Sequence, residues 1–169
     1  QTQSGGMLID IFYGPLNHNR LIVNRLSRLY DKFDLDKCHV VPAFVNKITN
    51  AKDTLEIWGS GKAARDVIYI DDLITFIDAC IKNQTTSYEL FNCGAGEAFS
   101  IMDLATTIMK VGDKNLNIEF DTTKPDIPTT VILNCRKAFY ELGWKPTVSL
   151  REGLAKTYRW YCENNHVLQ

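Results

Sequence analysis

Three side chains in this 169-residue sequence have types and positions suited to chemistry. His39 can carry or release a proton near neutral pH, and it precedes the predicted start of a helix, whose backbone N–H groups would tune its pKa. Arg65 offers a planar fork that engages two oxyanion oxygens at once. Trp58 stacks against a ligand or closes the core above the following glycine-rich turn. Structural alternatives stay open for the other two, since His39 could be partly buried and Arg65 could be a surface residue at a strand start.

Two further residue types could bind ligands, and their spacing argues against it. Gly94 and Gly96 are better explained as turn residues than as a phosphate cradle, because no GxGxxG pattern follows a strand. The five cysteines are odd in number and form no CxxC or Cys/His cluster. We therefore expect no metal site and no disulfide scaffold, but reduced thiols in a cytoplasmic protein.

Composition narrows the class of protein. Hydrophobic residues make up 45% of the chain and charged residues 23%, which is typical of one globular domain. The net charge of -1 gives no bulk attraction to nucleic acid or to an anionic membrane. No apolar run reaches the length of a membrane span, and no signal peptide opens the chain. The absence of an initiator Met suggests an excerpt of a longer gene product.

The elements that must position these residues alternate between short strands and helices. Helix starts are indicated by Pro42, by Asp71, by the Ser100 and Asp103 pair, and by Ser149 with Glu152. The chain has no internal repeat or low-complexity linker, so we expect one compact α/β domain. The predicted strands are 7–13, 55–58, 65–70, 90–93 and 117–120, residues 20–30 are ambiguous, and the predicted helices begin near 42, 72, 101, 136 and 150.

Several sequence blocks, in order, resemble the second half of the nucleotide-sugar epimerases and reductases of the extended short-chain dehydrogenase/reductase family, most closely the GDP-L-fucose synthase group. Each block is weak alone, but their order and spacing over roughly residues 25 to 165 make chance a poor explanation. The blocks are YDKF with CHVVPA (30–33 and 38–43), LEIWGSG with RD and YIDDL (55–61, 65–66 and 69–73), NCGAG (92–96), FDTTKPD (120–126) and LGWKP with TYRWY (142–146 and 157–161).

The resemblance implies a fold and an activity. It implies the C-terminal, substrate-binding portion of a Rossmann-type enzyme of the NAD-dependent epimerase/dehydratase family. Such enzymes use NADP(H) to reduce a 4-keto-6-deoxy sugar carried on a nucleoside diphosphate, after epimerising the carbons beside the ketone. The resemblance therefore implies a nucleotide-diphosphate sugar as the partner molecule.

The resemblance also assigns roles to five residues. His39 matches the acid of the epimerisation step, and Arg65 matches the phosphate-binding arginine. Trp58 and Lys124 match residues that line the substrate site, with a solvated loop lysine as the alternative for Lys124. Lys47 stands where the family commonly has arginine, so the charge is kept while the bidentate geometry is lost.

Departures from the family pattern bear on activity. The family's KPDGTPRK becomes KPDIPTTV over residues 124–131, which loses a glycine and a basic pair. The sequence contains neither a glycine-rich dinucleotide fingerprint nor a Tyr-x-x-x-Lys pair, so NADP would be bound mainly by a cofactor-binding half that is missing here. Residues 1–30 are predicted to be a divergent segment and 31–169 a nucleotide-sugar substrate-binding domain.

Two functions follow from these patterns. The first is the substrate-binding part of an epimerase/reductase, inactive without its Rossmann half, which lies on the same gene product or on another chain. The second is a non-catalytic sugar-nucleotide-binding or interaction module derived from the same fold. His39 and Arg65 favour the first, and the departures over 124–131 favour the second.

Overall fold

The structure, a computed structural model, describes residues 7–13, 20–26, 40–86, 88–124, 126 and 128–164, with side chains described from residue 40 onward. Eight strands and five helices lie within these residues. In chain order they are β1 (Met7–Tyr13), β2 (Arg20–Leu26), α1 (Val40–Asn50), β3 (Thr54–Trp58), β4 (Ala64–Arg65), α2 (Ile70–Asn83), β5 (Tyr88–Cys93), β6 (Phe99–Ser100), α3 (Ile101–Val111), β7 (Asn117–Asp121), β8 (Thr130–Val131), α4 (Arg136–Leu142) and α5 (Leu150–Asn164).

The chain divides into two compact units, where the sequence suggested one compact domain. Unit 1 comprises Gln1–Leu29, Asp66–Ala98 and Val131–Val148, and unit 2 comprises Tyr30–Arg65, Phe99–Thr130 and Ser149–Gln169. Each unit is assembled from three separate segments of the chain. The points at which the chain passes from one unit to the other have no unusual composition. A boundary of this kind leaves no compositional signal in the sequence.

Unit 1 contains a three-stranded sheet in the order β1-β2-β5. Strand β1 is antiparallel to β2, and β2 is parallel to β5, with Leu21 opposite Tyr88 and Leu26 opposite Cys93. Phe91 and Cys93 of β5 are buried with the apolar faces of α2 and α4. The core of unit 1 consists of Ile68, Leu73, Phe76, Cys80, Phe91, Cys93, Ala138, Leu142 and Trp144.

A buried carboxylate ties the last segment of unit 1 to its helix α2. Asp72 is 1% exposed and accepts hydrogen bonds from the backbone N–H groups of Thr147 and Val148 and from the Thr147 hydroxyl. Trp144 packs edge-on against Phe76, with ring centroids 4.9 Å apart. Backbone donors satisfy the Asp72 charge, so the buried carboxylate fixes the segment after α4 in place.

Unit 2 packs the helices α1, α3 and α5 together and adds the parallel pair β3-β7. It also contains the short antiparallel pair β4-β6, with Arg65 opposite Phe99. Leu55 and Ile57 alternate with exposed residues along β3, so one face of the strand is buried, as its period of two requires. The buried apolar residues of unit 2 are Val41, Phe44, Val45, Ile48, Leu55, Ile57, Leu104, Ala105, Ile108, Leu116, Leu154 and Tyr161.

Several sequence predictions of local structure are confirmed. Ser100 caps α3 in a reciprocal capping box, since its hydroxyl accepts from the Asp103 backbone N–H while the Asp103 carboxylate accepts from the Ser100 backbone N–H. Pro42 lies in the first turn of α1, and α4 ends at Gly143. The strands predicted at 7–13, 55–58, 90–93 and 117–120 are present, and the ambiguous segment forms strand β2 over Arg20–Leu26.

Two local predictions are wrong around residues 65–71. The strand predicted over 65–70 is reduced to β4, Ala64–Arg65, and helix α2 already begins at Ile70. Tyr69 is the N-cap, so Asp71 lies inside the first turn of the helix, where an acidic residue interacts favourably with the helix dipole. The β-branched run misled the prediction because Val67 and Ile68 are buried core residues, and beyond β4 the run forms only an isolated β-bridge at Val67.

Candidate functional site

An exposed tryptophan on β3 is the centre of the candidate site in unit 2. Trp58 is 59% exposed, because the alternation of β3 that buries Leu55 and Ile57 turns Trp58 and Glu56 to the opposite face. The indole Nε1–H donates a hydrogen bond of 2.8 Å to Glu56 Oε1. A ring this exposed does not close a core. It presents an aromatic surface to solvent.

Two lysines lie beside this ring. Lys47 Nζ, from α1, is 5.3 Å from the centroid of the Trp58 ring, and Lys124 Nζ, from the loop after β7, is 5.1 Å from it. Both distances fall within the range of cation–π contacts. Lys47 Nζ also lies 3.8 Å from Glu56 Oε1. Three residues singled out in the sequence, from three separate segments, therefore meet at one place.

The parallel pairing of β3 and β7 explains why these segments meet. Trp58 ends β3 directly opposite Asp121, which ends β7, so the loops that follow both strands leave from the same edge of the sheet. The Gly59 backbone N–H donates to the Asp121 carbonyl at 2.9 Å. The loop after β7 carries Lys124, and its placement follows from this register.

A glycine and an aspartate hold the two loops together. Gly59 has a φ of +71°, and a Cβ built on it would lie 2.9 Å from Asp126 Cβ. Asp126 Oδ2 accepts a hydrogen bond of 2.9 Å from the Ser60 backbone N–H. The WGSG and KPD blocks of the sequence thus pack against one another, and only a residue without a side chain leaves room for this contact.

Together, Trp58, Glu56, Lys47, Lys124 and Asp126 form what we call the Trp58 cluster. Arg65 has a different environment. Its Nη1 donates to the carbonyls of Ala64 at 2.8 Å and Thr129 at 2.5 Å. These bonds orient the guanidinium through one nitrogen, and a guanidinium carries five N–H donors in all. His39, the predicted epimerisation acid, lies outside the described residues, so the roles of both residues stay predictions.

A second polar constellation lies in unit 1 and is built around a buried aspartate. Asp66 is 3% exposed and accepts hydrogen bonds from the backbone N–H groups of Ala95 at 2.7 Å, Gly96 at 3.1 Å and Leu133 at 3.1 Å. Burial raises the pKa of Asp66, while these three donors act in the opposite direction. A Cβ on Gly94 would lie 2.7 Å from Asp66 Oδ2. The lack of a side chain at Gly94 therefore leaves room for the Asp66 carboxylate.

The same constellation tests whether the glycine-rich turn fits a dinucleotide cofactor. The N–H groups of Ala95 and Gly96, which a phosphate would need, already donate to Asp66. The turn does not fit the pyrophosphate of a nicotinamide cofactor. Gly96, with a φ of +77°, is a turn residue, as the sequence indicated, and Gly94 packs against Asp66.

The cysteines of unit 1 lie in or against its core, with Cys80 and Cys93 buried and Cys135 partly buried. Burial raises the pKa of Cys80 to about 12 and that of Cys135 to about 11, and it also raises the pKa of Cys93. Cys162 of unit 2 is exposed. Within the described part of the chain, no three or more His, Cys, Asp or Glu side chains are placed to hold a metal ion.

A cleft of about 550 Å³ opens in unit 1 beside α4. Its lining includes Gly96, Ile132, Asn134, Arg136 and Tyr140 and contains none of the five residues to which the family resemblance assigns roles. Over the residues that the structure describes, no helix combines the length and the apolar character needed to cross a membrane.

The Trp58 cluster has the chemistry to bind an aromatic anion. An exposed indole can stack on a planar base, and two ammonium groups beside it can pair with phosphate oxygens. The sequence analysis missed two members of this cluster, Glu56 and Asp126. Glu56 could have been found from its position two residues before Trp58 on the same face of a strand. The contact of Asp126 with Gly59 spans 67 residues, and no local pattern indicates it.

Comparisons with known proteins agree on one family. A family model described as the NAD dependent epimerase/dehydratase family matches residues 15–94. The chain is 38% identical over 138 residues to the GDP-L-fucose synthase of Sinorhizobium fredii, covering 79% of this chain and 43% of that protein. The chain spans less than half the length of the curated relatives it matches.

Two solved structures share the fold of this chain. A UDP-glucose 4-epimerase from Thermotoga maritima, determined with UDP-glucose, superposes with a TM-score of 0.74 at 25% identity, over 85% of this chain and 46% of that one. A dTDP-glucose 4,6-dehydratase from Bacillus anthracis, in complex with NAD, gives a TM-score of 0.73 at 23% identity, over 88% of this chain and 47% of that one.

Proposed function

Since the chain belongs to the NAD-dependent epimerase/dehydratase family, within the extended short-chain dehydrogenases/reductases, we propose that it is the substrate-binding part of a nucleotide-sugar epimerase/reductase resembling GDP-L-fucose synthase. The observation that carries this proposal is the convergence of Lys47 and Lys124 on the exposed ring of Trp58. The ring would stack on the base of a nucleoside diphosphate sugar, and the two ammonium groups would neutralise its diphosphate.

The proposed division of labour places proton transfer and phosphate binding on this chain. His39 would act as the acid that protonates a carbon beside the sugar ketone during epimerisation, since an imidazole exchanges protons near neutral pH. Arg65 would contribute the guanidinium nitrogens that its two carbonyl contacts leave available. Residues 31–169 would form the substrate-binding domain, with parts in both compact units.

Reduction requires a nicotinamide cofactor, and the glycine-rich turn over residues 94–96 does not fit the pyrophosphate of one. The Gly94–Gly96 turn is closed by Asp66, and the sequence holds no Tyr-x-x-x-Lys pair. We propose that NADP(H) is bound by a Rossmann half outside this sequence, in the same gene product or on another chain. The chain alone would then bind its ligand in the cytoplasm without turning it over.

A non-catalytic sugar-nucleotide-binding module is the second candidate. The loss of the family's GTPRK residues after Asp126 favours it, because that change removes cations from the loop that also carries Lys124. NADPH oxidation by the full gene product with a 4-keto-6-deoxy nucleotide sugar separates the two candidates. Turnover supports the enzyme, whereas binding without turnover supports the module.

The binding proposal is tested by calorimetry with GDP- and UDP-sugars. Removal of base stacking in Trp58→Ala is expected to weaken binding by about 5- to 150-fold, from roughly 1–3 kcal/mol per stacked base. Lys124→Ala is expected to weaken it by a smaller factor, and the exposed Lys52→Ala serves as the matched control for lost charge. Unchanged affinity in Trp58→Ala would show that the base lies elsewhere.

A further inference from the structure

Glu56 contacts two members of the Trp58 cluster at once. Its Oε1 accepts the indole Nε1–H of Trp58 at 2.8 Å and lies 3.8 Å from Lys47 Nζ. The same carboxylate oxygen therefore faces both the aromatic surface and one of the two cations. Sequence position alone places Glu56 and Trp58 on one face of β3, but it does not specify this shared oxygen.

We propose that Glu56 is a positioning residue for the candidate nucleotide site, which fixes the plane of the Trp58 indole. The proposal rests on the proposed function, because the indole is positioned for stacking on a base. Glu56 itself would not touch the ligand. It would act through Trp58.

The hydrogen bond limits the motion of an otherwise free ring. Trp58 is 59% exposed, so packing alone leaves its side-chain torsions poorly restrained. The bond to Glu56 holds one edge of the indole and leaves its faces for contacts such as those with Lys47 and Lys124. A ring that is ordered before binding loses less conformational entropy when a base stacks on it, which raises affinity.

The negative charge of Glu56, in contrast, is expected to weaken ligand binding. A carboxylate beside the cations weakens their attraction for a diphosphate. Its ion pair with Lys47 is solvent-exposed and contributes little by itself. The hydrogen-bond acceptor, rather than the charge, is therefore the property of Glu56 that we expect to favour binding.

Three variants separate these two properties. Glu56→Gln keeps an acceptor for the indole N–H and removes the charge, whereas Glu56→Val removes both. Glu119→Val is the matched control, because Glu119 lies directly opposite Glu56 in the β3-β7 register and is exposed on the same face. Among the described residues, none makes a side-chain hydrogen bond or ion pair with the Glu119 carboxylate.

Two measurements are made on the 169-residue chain. The first is the Kd for GDP- and UDP-sugars by calorimetry. The second is the ¹H–¹⁵N signal of the Trp58 Nε1–H in the free chain, assigned with Trp58→Phe, together with its exchange with water. If Glu56 had a purely structural role, its substitution would not change the exchange of this one N–H. Binding would then also not be restored by glutamine.

The proposal expects a specific pattern. Glu56→Val should weaken binding by about three- to tenfold, from the ordering cost of one side chain, and should speed exchange of the indole N–H. Glu56→Gln should bind at least as tightly as the wild-type chain and keep the exchange slow. Glu119→Val should leave the indole exchange unchanged and should not weaken binding.

Each other outcome has a defined meaning. If Glu56→Val binds as well as Glu56→Gln, or if Glu119→Val weakens binding as much as Glu56→Val, Glu56 does not position the site, even though the site exists. If the wild-type chain binds neither GDP- nor UDP-sugars, the proposed function fails, and the stacking role of Glu56 fails with it.

Discussion

Substitution of Gly59 by alanine tests the contact that joins the two loops of the candidate site. A left-handed φ of +71° is expected to cost about 1–2 kcal/mol with a Cβ present. The new Cβ would also lie 2.9 Å from Asp126 Cβ and Cγ, so Asp126 must move. Loss of its hydrogen bond to the Ser60 N–H adds about 1 kcal/mol. Gly59→Ala should therefore lower the free energy of unfolding by about 2–3 kcal/mol.

Urea denaturation followed by circular dichroism measures this change. Gly96→Ala is the control for backbone strain alone, because Gly96 has a φ of +77° and no atom within 4 Å of the position of a Cβ. It should cost about 1–2 kcal/mol. A double variant, Gly59→Ala with Asp126→Gly, removes the side chain that the new Cβ meets. In the Asp126→Gly background, Gly59→Ala should cost only the strain term.

The reasoning is refuted by either of two results. The first is equal destabilisation by Gly59→Ala and Gly96→Ala. The second is strict additivity of Gly59→Ala and Asp126→Gly, since residues in contact are expected to couple. In either case Asp126 would not be packed on the turn, and the placement of Lys124 beside Trp58 would lose its structural support.

Three further predictions concern residues outside the candidate site. Asp66→Asn should lower the free energy of unfolding by about 2 kcal/mol or more in thermal unfolding, because the amide NH₂ meets backbone N–H donors, whereas the exposed Asp53→Asn should change it little. Asp103→Ala should cost about 1 kcal/mol at pH 7. Hydrogen bonds from Ser100 lower the pKa of Asp103 below 3.8 in the folded chain. This contribution to stability is therefore fully present above about pH 4 and is lost as the pH falls through the folded-state pKa. The difference in urea midpoint between the wild-type chain and Asp103→Ala should shrink toward about pH 2. Brief iodoacetamide treatment of the native chain, read by mass spectrometry, should label the exposed Cys162. Equal labelling of the buried Cys80 and Cys93 and of the partly buried Cys135 would contradict their raised pKa values.

Local signals in the sequence determined much of the secondary structure. The capping box of Ser100 and Asp103 predicted the start of α3 because both partners lie within four residues of each other. The end of α4 at Gly143 is equally local. Residues 65–71 were predicted less well, because a β-branched run describes a buried position as readily as a strand.

The candidate site was predicted only in part. Resemblance to a family singled out Lys47, Trp58 and Lys124, and the structure brings their side chains together. Their assigned roles, and those of His39 and Arg65, stay predictions. Asp66 was not recognised as the centre of a buried network, because its three donors come from residues 29 to 67 positions away.

Residue types and short spacings were enough to predict the family, the order of most elements and several candidate ligand-binding residues. The tertiary structure was needed for the division into two units of three segments each. It also decided the parallel register that sets Trp58 against Asp121 and brings Asp126 onto Gly59. Such contacts depend on how distant segments pack, and a site that joins three segments exists only once that packing has formed.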